Sequence, residues 1–165
     1  MTHTSAPSER VSPLGMRHAL AGFATGIAVV AAEIDGEVVG LSANSFTSVS
    51  LNPPLVSVAF SDTSTTWPQL RRATRWGISI LGETQTGLLQ DLRRPSTERF
   101  DRIAMDVVDD AAFVRGALAR LTVELDTEIP AGDHVLSLLR VLDLHRDDEQ
   151  RPLVFFGSNS HRLAE

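Results

Sequence analysis

A chain of 165 residues holds one ordinary domain, and 42% hydrophobic against 22% charged residues makes it globular rather than disordered. Fifteen basic against twenty-one acidic side chains, a net charge of −6, argue against a broad nucleic-acid footprint, and the absence of cysteine excludes disulfides, thiolate catalysis and cysteine-built zinc sites. No apolar run is long enough to span a bilayer and the N-terminus lacks a signal-peptide core, so no membrane partner is expected and the cytoplasm is the default location.

Residues 1–11, MTHTSAPSERV, read as a polar, flexible tail, which leaves 12–165 as the folded domain. Between Leu14 and Phe23 the apolar residues fall at helical spacing, with Pro13 suited to a first turn. GIAVVAAEIDGEVVGLSA then places two β-rich runs around Asp35-Gly36, the strongest hairpin signal in the chain. Residues 40–60, GLSANSFTSVSLNPPLVSVAF, are unusual: Ser42, Asn44, Ser45, Thr47, Ser48 and Ser50 crowd between apolar flanks. Buried hydroxyls cost free energy unless partnered, so these groups bond neighbouring backbone or await a ligand. Pro53-Pro54 rigidifies the entry to the strand LVSVAF.

TTWPQLRRATR predicts a short helix with Pro68 in its first turn, WGISIL a strand, and GETQTGLLQDLRR an amphipathic helix ending before Pro95. The charged stretch 96–112 reads as loop. Residues 117–131, 133–147 and 151–158 read as three further strands. Helices do not alternate regularly with strands, which argues against a doubly wound parallel sheet. Six or seven strands with a few short helices predict a mainly β antiparallel barrel.

No G-x-G-x-x-G, phosphate-binding P-loop or G-x-S-x-G motif occurs, and His3, His18, His134, His145 and His161 lack metal-ligand spacing. A second hydroxyl cluster does occur: Ser61, Thr63, Ser64, Thr65 and Thr66 precede the helix at Trp67. One such hydroxyl is explained as an N-cap. The surplus also suits a phosphate, because free N–H groups and the helix dipole at such a terminus favour an anion.

FATGIAVVAA (23–32), GLSANSFTSVSLNPPLVSV (40–58), Ser64, Thr66 and Trp67, WGISIL (76–81), ERFDRI (98–103), PAGDH (130–134) and the closing PLVFF…HRL (152–163) together resemble the short-chain flavin reductases. These are the reductase components of two-component flavin-dependent monooxygenases. The resemblance spans nearly the whole chain and implies an FMN-binding split β-barrel, working as a homodimer with flavin between subunits. The apolar run AVVAA beside the hydroxyl segment is the chain's own reason to expect a buried interface. By the same resemblance, FAD or FMN lies along Ala43, Asn44, Ser45 and Phe46, and Thr25 approaches the same ring. Ser61, Ser64, Thr66 and Trp67 surround the phosphate end, while His134, His161 and Arg162 meet NADH or NADPH. His134 is expected to orient rather than to donate a proton, and no metal is implied. Packing roles compete for Phe46 and Trp67, and a turn-shaping role competes for Thr25.

The implied activity is hydride transfer from NAD(P)H to flavin, with reduced flavin diffusing to a partner monooxygenase. Two other uses of such a barrel stand beside it: a retained flavin reducing cobalamin, a metal or an organic substrate, and a non-catalytic flavin- or haem-binding barrel. One departure concerns the nucleotide. Where the family commonly carries an aromatic, Arg-rich run, this chain has Phe155, Phe156, Gly157, Ser158, Asn159 and Ser160 before the closing H-R-L.

Overall fold

The hairpin at Asp35-Gly36 organises the sheet. Asp35 and Gly36 both adopt positive φ, 55° and 82°, the pair of values that a two-residue type I′ turn requires. They join β1 (Ala28–Ile34) to β2 (Glu37–Ala43) in register from Ala28 opposite Ala43 to Ile34 opposite Glu37. In this computed structural model, which describes residues 11–164, nine of the eleven strands form one antiparallel sheet. The expected N-terminal tail, Val11 apart, lies outside the described residues.

The strands besides β1 and β2 are β3 (Thr47–Leu51), β4 (Pro54–Ser61), β5 (Trp76–Ile80), β6 (Met105–Val108), β7 (Ala111–Val114), β8 (Ala119–Ala131), β9 (His134–Arg146), β10 (Val154–Phe156) and β11 (Asn159–His161). Their order is β3-β4-β9-β8-β5-β1-β7-β6, with β2 branching from β1, while β10 and β11 form a separate hairpin. Among the described residues the outer edge of β2 therefore carries no strand.

β1 is buried on both faces, and its alternation divides the core. Ala28, Val30 and Ala32 join Val58, Phe60, Trp67 and Trp76 in one cluster. Ile27, Val29 and Ala31 join Leu81, Leu92, Val114 and Leu153 in the other. Successive residues of a strand point to opposite faces, so one apolar run serves two cores. This removes the reason given above for a subunit interface at AVVAA: residues 28–32 are covered within the chain.

Three local expectations are corrected. The stretch 96–112 is not all loop, because β6 and β7 form a hairpin across Asp109-Asp110, with Asp109 at φ 54°. The amphipathic helix over 82–94 is broken at Thr86-Gly87 into a 3₁₀ turn, Glu83–Gln85, and the short helix α3 defined below. The closing segment contains a hairpin rather than one strand, turning at Gly157-Ser158.

The helices are short: α1 (Pro13–Leu20), α2 (Trp67–Leu70) and α3 (Leu88–Leu92). Ser12 Oγ accepts from Gly15 N–H at 3.0 Å and caps α1, a helix with no buried residue. Leu14 and Phe23, at and beyond its two ends, are 75% and 73% exposed. Among the described residues no helix is long and apolar enough to cross a membrane.

Candidate functional site

β3 and β4 begin as an ordinary antiparallel pair and then part. Their ladder runs from Leu51 opposite Pro54 to Thr47 opposite Ser57, with an irregularity between Ser48 and Ser50. At Ala59 the ladder is replaced by a side chain. Ser45 Oγ accepts from the Ala59 N–H at 3.1 Å and donates to the Ala59 carbonyl at 3.2 Å. This hydroxyl satisfies the backbone groups that the departing strand abandons. It also anchors residues 44–46, the link between β2 and β3, beside a cleft.

The cleft, about 260 Å³, is lined by Ser42, Ala43, Asn44 and Ser45 on one side and by Ser61, Ser64 and His134 on the other. Ala59 and Phe60 complete the floor, and no carboxylate lines it. Two elements bring the far wall together: β4 and β9 pair with Ser61 opposite His134, and the chain then turns through Asp62 into α2. Ser61 Oγ lies 2.9 Å from Thr63 Oγ1, and Ser64 Oγ accepts from Trp67 N–H at 3.1 Å. Ser64 thus satisfies the first N–H of α2, whose cap residue, Thr66, makes no side-chain cap bond.

Thr66 and Trp67 stand behind this wall rather than on it. Trp67 is buried, stacked on Phe60 at 4.0 Å between ring centroids and edge-on to Trp76 at 5.1 Å. Trp76 in turn donates its indole N–H to the Leu70 carbonyl at 2.8 Å. The aromatic packing that competed for Trp67 in the sequence is therefore what its ring does. Phe46 likewise packs against the core, over a small cavity bounded by Gly26, Ile27 and Ile80.

Buried Thr66 reaches a residue to which the sequence had assigned no role. Arg99, in the ERFDRI segment, donates Nη1 to the Gly40 carbonyl at 2.6 Å and approaches Thr66 Oγ1 at 3.4 Å. Gly40 lies on the open edge of β2, so Arg99 ties that edge to the start of α2. Burial pushes the guanidinium pKa down. Arg99 forms no ion pair among the described residues, and its Nε is buried without a partner. The cation thus sits behind the hydroxyl wall with only neutral acceptors. ERFDRI carried the family signal, but nothing local in it points to Gly40, 59 residues away.

His134 Nδ1 lies 2.7 Å from Asp133 Oδ1. The hydrogen bond from His134, followed by its charge, holds the Asp133 carboxyl below the ordinary carboxylate range. His161 is elsewhere, on β11, with Nε2 3.0 Å from the Phe156 carbonyl. The hairpin bearing His161, with Arg162 following it, is tied to Thr25 by paired backbone bonds between Thr25 and Phe155, at 2.9 and 2.7 Å. Thr25 Oγ1 is buried and unpartnered. Of the three residues expected at the nicotinamide nucleotide, His134 lines the hydroxyl cleft, while His161 sits on the β10–β11 hairpin and Arg162 just beyond it.

The cleft on this antiparallel sheet is walled by hydroxyls and an amide, and no carboxylate lines it, a lining chemically able to meet a polar, anionic small molecule. The chain belongs to the flavin reductase like domain family, which it matches over residues 20–164. It is 38% identical to an NADH-dependent flavin reductase of Rhodococcus, over 99% of this chain and 94% of that one. Among solved structures it superposes on the NADH:FAD oxidoreductase of Streptomyces globisporus with a TM-score of 0.87 and 28% identity, covering 97% of this chain and all (100%) of the other. The styrene monooxygenase flavin reductase of Pseudomonas putida gives 0.81 and 33%, covering 90% and 97%. The fold is the split barrel of these reductases.

Proposed function

We propose that the chain is an NAD(P)H-dependent flavin reductase that supplies reduced FAD or FMN to a partner monooxygenase, with residues 12–165 acting as one flavin reductase domain. The observation that carries the reading is the cleft between Ala43–Ser45 and Ser61–Ser64, open, hydroxyl-lined and free of carboxylates. Such a lining meets a phosphate with donors and no like charge. The orphaned Thr25 Oγ1 adds a polar group with no partner in the chain itself.

In this reading Ala43, Asn44 and Ser45 run along the flavin ring, largely through backbone groups, since the Ser45 hydroxyl is committed to Ala59. Phe46 supports them from the core, and Thr25 flanks the same ring. Ser61 and Ser64 meet the phosphate, with Thr66, Trp67 and the Arg99 charge behind them. His134 orients the ligand at this end, and His161 and Arg162 serve the pyridine nucleotide. The chemistry that the flavin supplies when bound is acceptance at N5 of a hydride from C4 of the reduced nicotinamide. The chain's own task is to bind and align the two rings in near-attack geometry. No side chain need act as general acid or base.

The protein works as a homodimer in this reading. The support is now α1, which buries nothing within the chain and leaves Leu14, Leu20 and Phe23 exposed. A reductase drawing on NAD(P)H belongs where that nucleotide is kept reduced, which places it in the cytoplasm.

The deciding experiment is steady-state oxidation of NADH and NADPH with FMN, FAD and riboflavin each supplied. Turnover that depends on added flavin supports a shuttle. A yellow cofactor retained through dialysis, with no turnover of free flavin, would move the protein to the retained-flavin enzymes. Light scattering tests the dimer: an active monomer of 17.9 kDa at micromolar concentration would remove it.

A further inference from the structure

Arg99 joins the roots of the two walls of the hydroxyl cleft. Its Nη1 donates to the Gly40 carbonyl at 2.6 Å and approaches Thr66 Oγ1 at 3.4 Å. Gly40 immediately precedes Leu41 and Ser42 on the near wall, and Thr66 stands two residues beyond Ser64 on the far wall. Arginines without an acidic partner are not rare among the described residues, but the others point elsewhere. Arg17, Arg93, Arg102 and Arg162 are exposed, and Arg151 donates to the Leu163 and Ala164 carbonyls. Arg99 is half-buried, its Nε has no partner, and burial pushes its pKa down. Withdrawing a cation from water costs free energy. The reason to keep one here lies in what it holds.

The two ends of the contact are not equivalent. Gly40 is fixed without Arg99: it pairs with Ala31 in the β1–β2 ladder, and a Cβ there would strike the Val30 carbonyl and come within 2.7 Å of the Ala31 Cβ. β2 is pressed too closely on β1 to shift. The Thr66 end has less to hold it. Thr66 is the cap residue of α2, a helix of four residues, yet its hydroxyl makes no cap bond. That hydroxyl is buried, and Arg99 is its partner among the described residues. Trp67 and Leu70 anchor α2 by apolar burial, which is not directional. The Arg99 contact is the directional tie from this segment to β2.

On the flavin reading proposed above, which this inference rests on, the ligand bridges the walls, with its ring along Ala43–Ser45 and its phosphate at Ser61 and Ser64. Both ends are gripped together only when the walls stand at one separation, which supporting hydrogen bonds must fix in advance. We propose that Arg99 is the positioning residue of the cleft: it takes its reference from the Gly40 carbonyl and, through Thr66, sets the distance of the phosphate wall from the ring wall.

Dissociation constants for FMN and riboflavin, from fluorescence quenching, test this, because riboflavin keeps the ring and lacks the phosphate. The wild type should bind FMN more tightly than riboflavin. Arg99→Met, which keeps an unbranched side chain without its donors, should weaken FMN about tenfold, the loss expected for a hydrogen bond to a charged group, and riboflavin by less than twofold. Arg99→Lys, which keeps a cationic donor, should restore part of the FMN affinity. Thr66→Val removes the other end of the contact while the Ser64 bond to Trp67 stays in place. It should reproduce the FMN-selective loss, and combining it with Arg99→Met should cost little further affinity, as expected of two groups in one interaction. Thr66→Val also decides the matter if Arg99→Met does not fold. An FMN preference unchanged in these variants would overturn the proposal, as would equal weakening of both flavins or fully additive losses in the double variant. A wild type that binds neither flavin would sink the flavin reading itself, whereas a wild type that prefers FMN, with variants that keep the preference, would sink the role of Arg99 alone.

Discussion

Removing the Ser45 hydroxyl tests whether the chain itself anchors the cleft wall. Ser45→Ala deletes both contacts to Ala59, at 3.1 and 3.2 Å, and leaves that residue's N–H and C=O without the partner that replaced β3. A neutral hydrogen bond contributes about 0.5–1.5 kcal/mol, and an abandoned buried group costs about 1–3. Ala59 is only partly buried and lines the open cleft, so water takes over some of the loss. About 1–2 kcal/mol remains, which in a domain of this size lowers Tm by roughly 3–6 °C. The assay is thermal unfolding by circular dichroism without flavin, paired with flavin fluorescence quenching. We expect a lower Tm and a flavin affinity reduced only through the loosened wall, with added flavin restoring part of the difference. An unchanged Tm with a tenfold weaker flavin affinity would show that the hydroxyl serves the ligand directly, and would refute the account of what anchors the wall.

The remaining expectations concern the far wall. Ser64→Ala combined with Thr66→Ala should raise the KM for FMN several-fold while leaving that for riboflavin, which lacks the phosphate, nearly unchanged. The same pair should cost about 1 kcal/mol from the lost cap at Trp67, so a lower Tm with equal KM values for FMN would return both residues to structure alone. His134→Asn should raise the flavin KM more than the NADH KM, because the imidazole shares its cleft with Ser61 and Ser64; the reverse ranking would move His134 to the nucleotide. Asp133 is a depressed carboxylate, so its contribution to stability is present above the unfolded value near ~3.9 and is lost as the pH falls through the lower folded value. The Tm difference between wild type and Asp133→Asn should therefore close below about pH 4, and a gap that persists there would show that the Asp133–His134 contact is not its source.

Local chemistry wrote much of this protein into its sequence. Asp35-Gly36 announced the central hairpin because few residue pairs tolerate positive φ in succession. The hydroxyl run at 42–50 stood out because small polar groups beside buried strands need partners, and the cluster at 61–66 because a helix start needs only one cap. The hairpin over 105–114 was hidden: its strands have four residues each, and its turn, Asp109-Asp110, offers no glycine.

What only the tertiary structure decided are pairings between residues far apart in the chain. Ser45 meets Ala59, 14 residues on, because β3 leaves the sheet there. Arg99 meets Gly40 because β2 branches from β1 and keeps an open edge. AVVAA looked like an interface and proved to be a strand between two cores, since composition records that a segment is apolar but not what covers it. His134 reaches the hydroxyl cleft because β4 and β9 pair with Ser61 opposite His134, whereas the His161 hairpin stands apart from the main sheet and is tied to Thr25. Side-chain type is local information. Which face of a shared wall a side chain reaches is settled by contacts that no nearby stretch of sequence encodes.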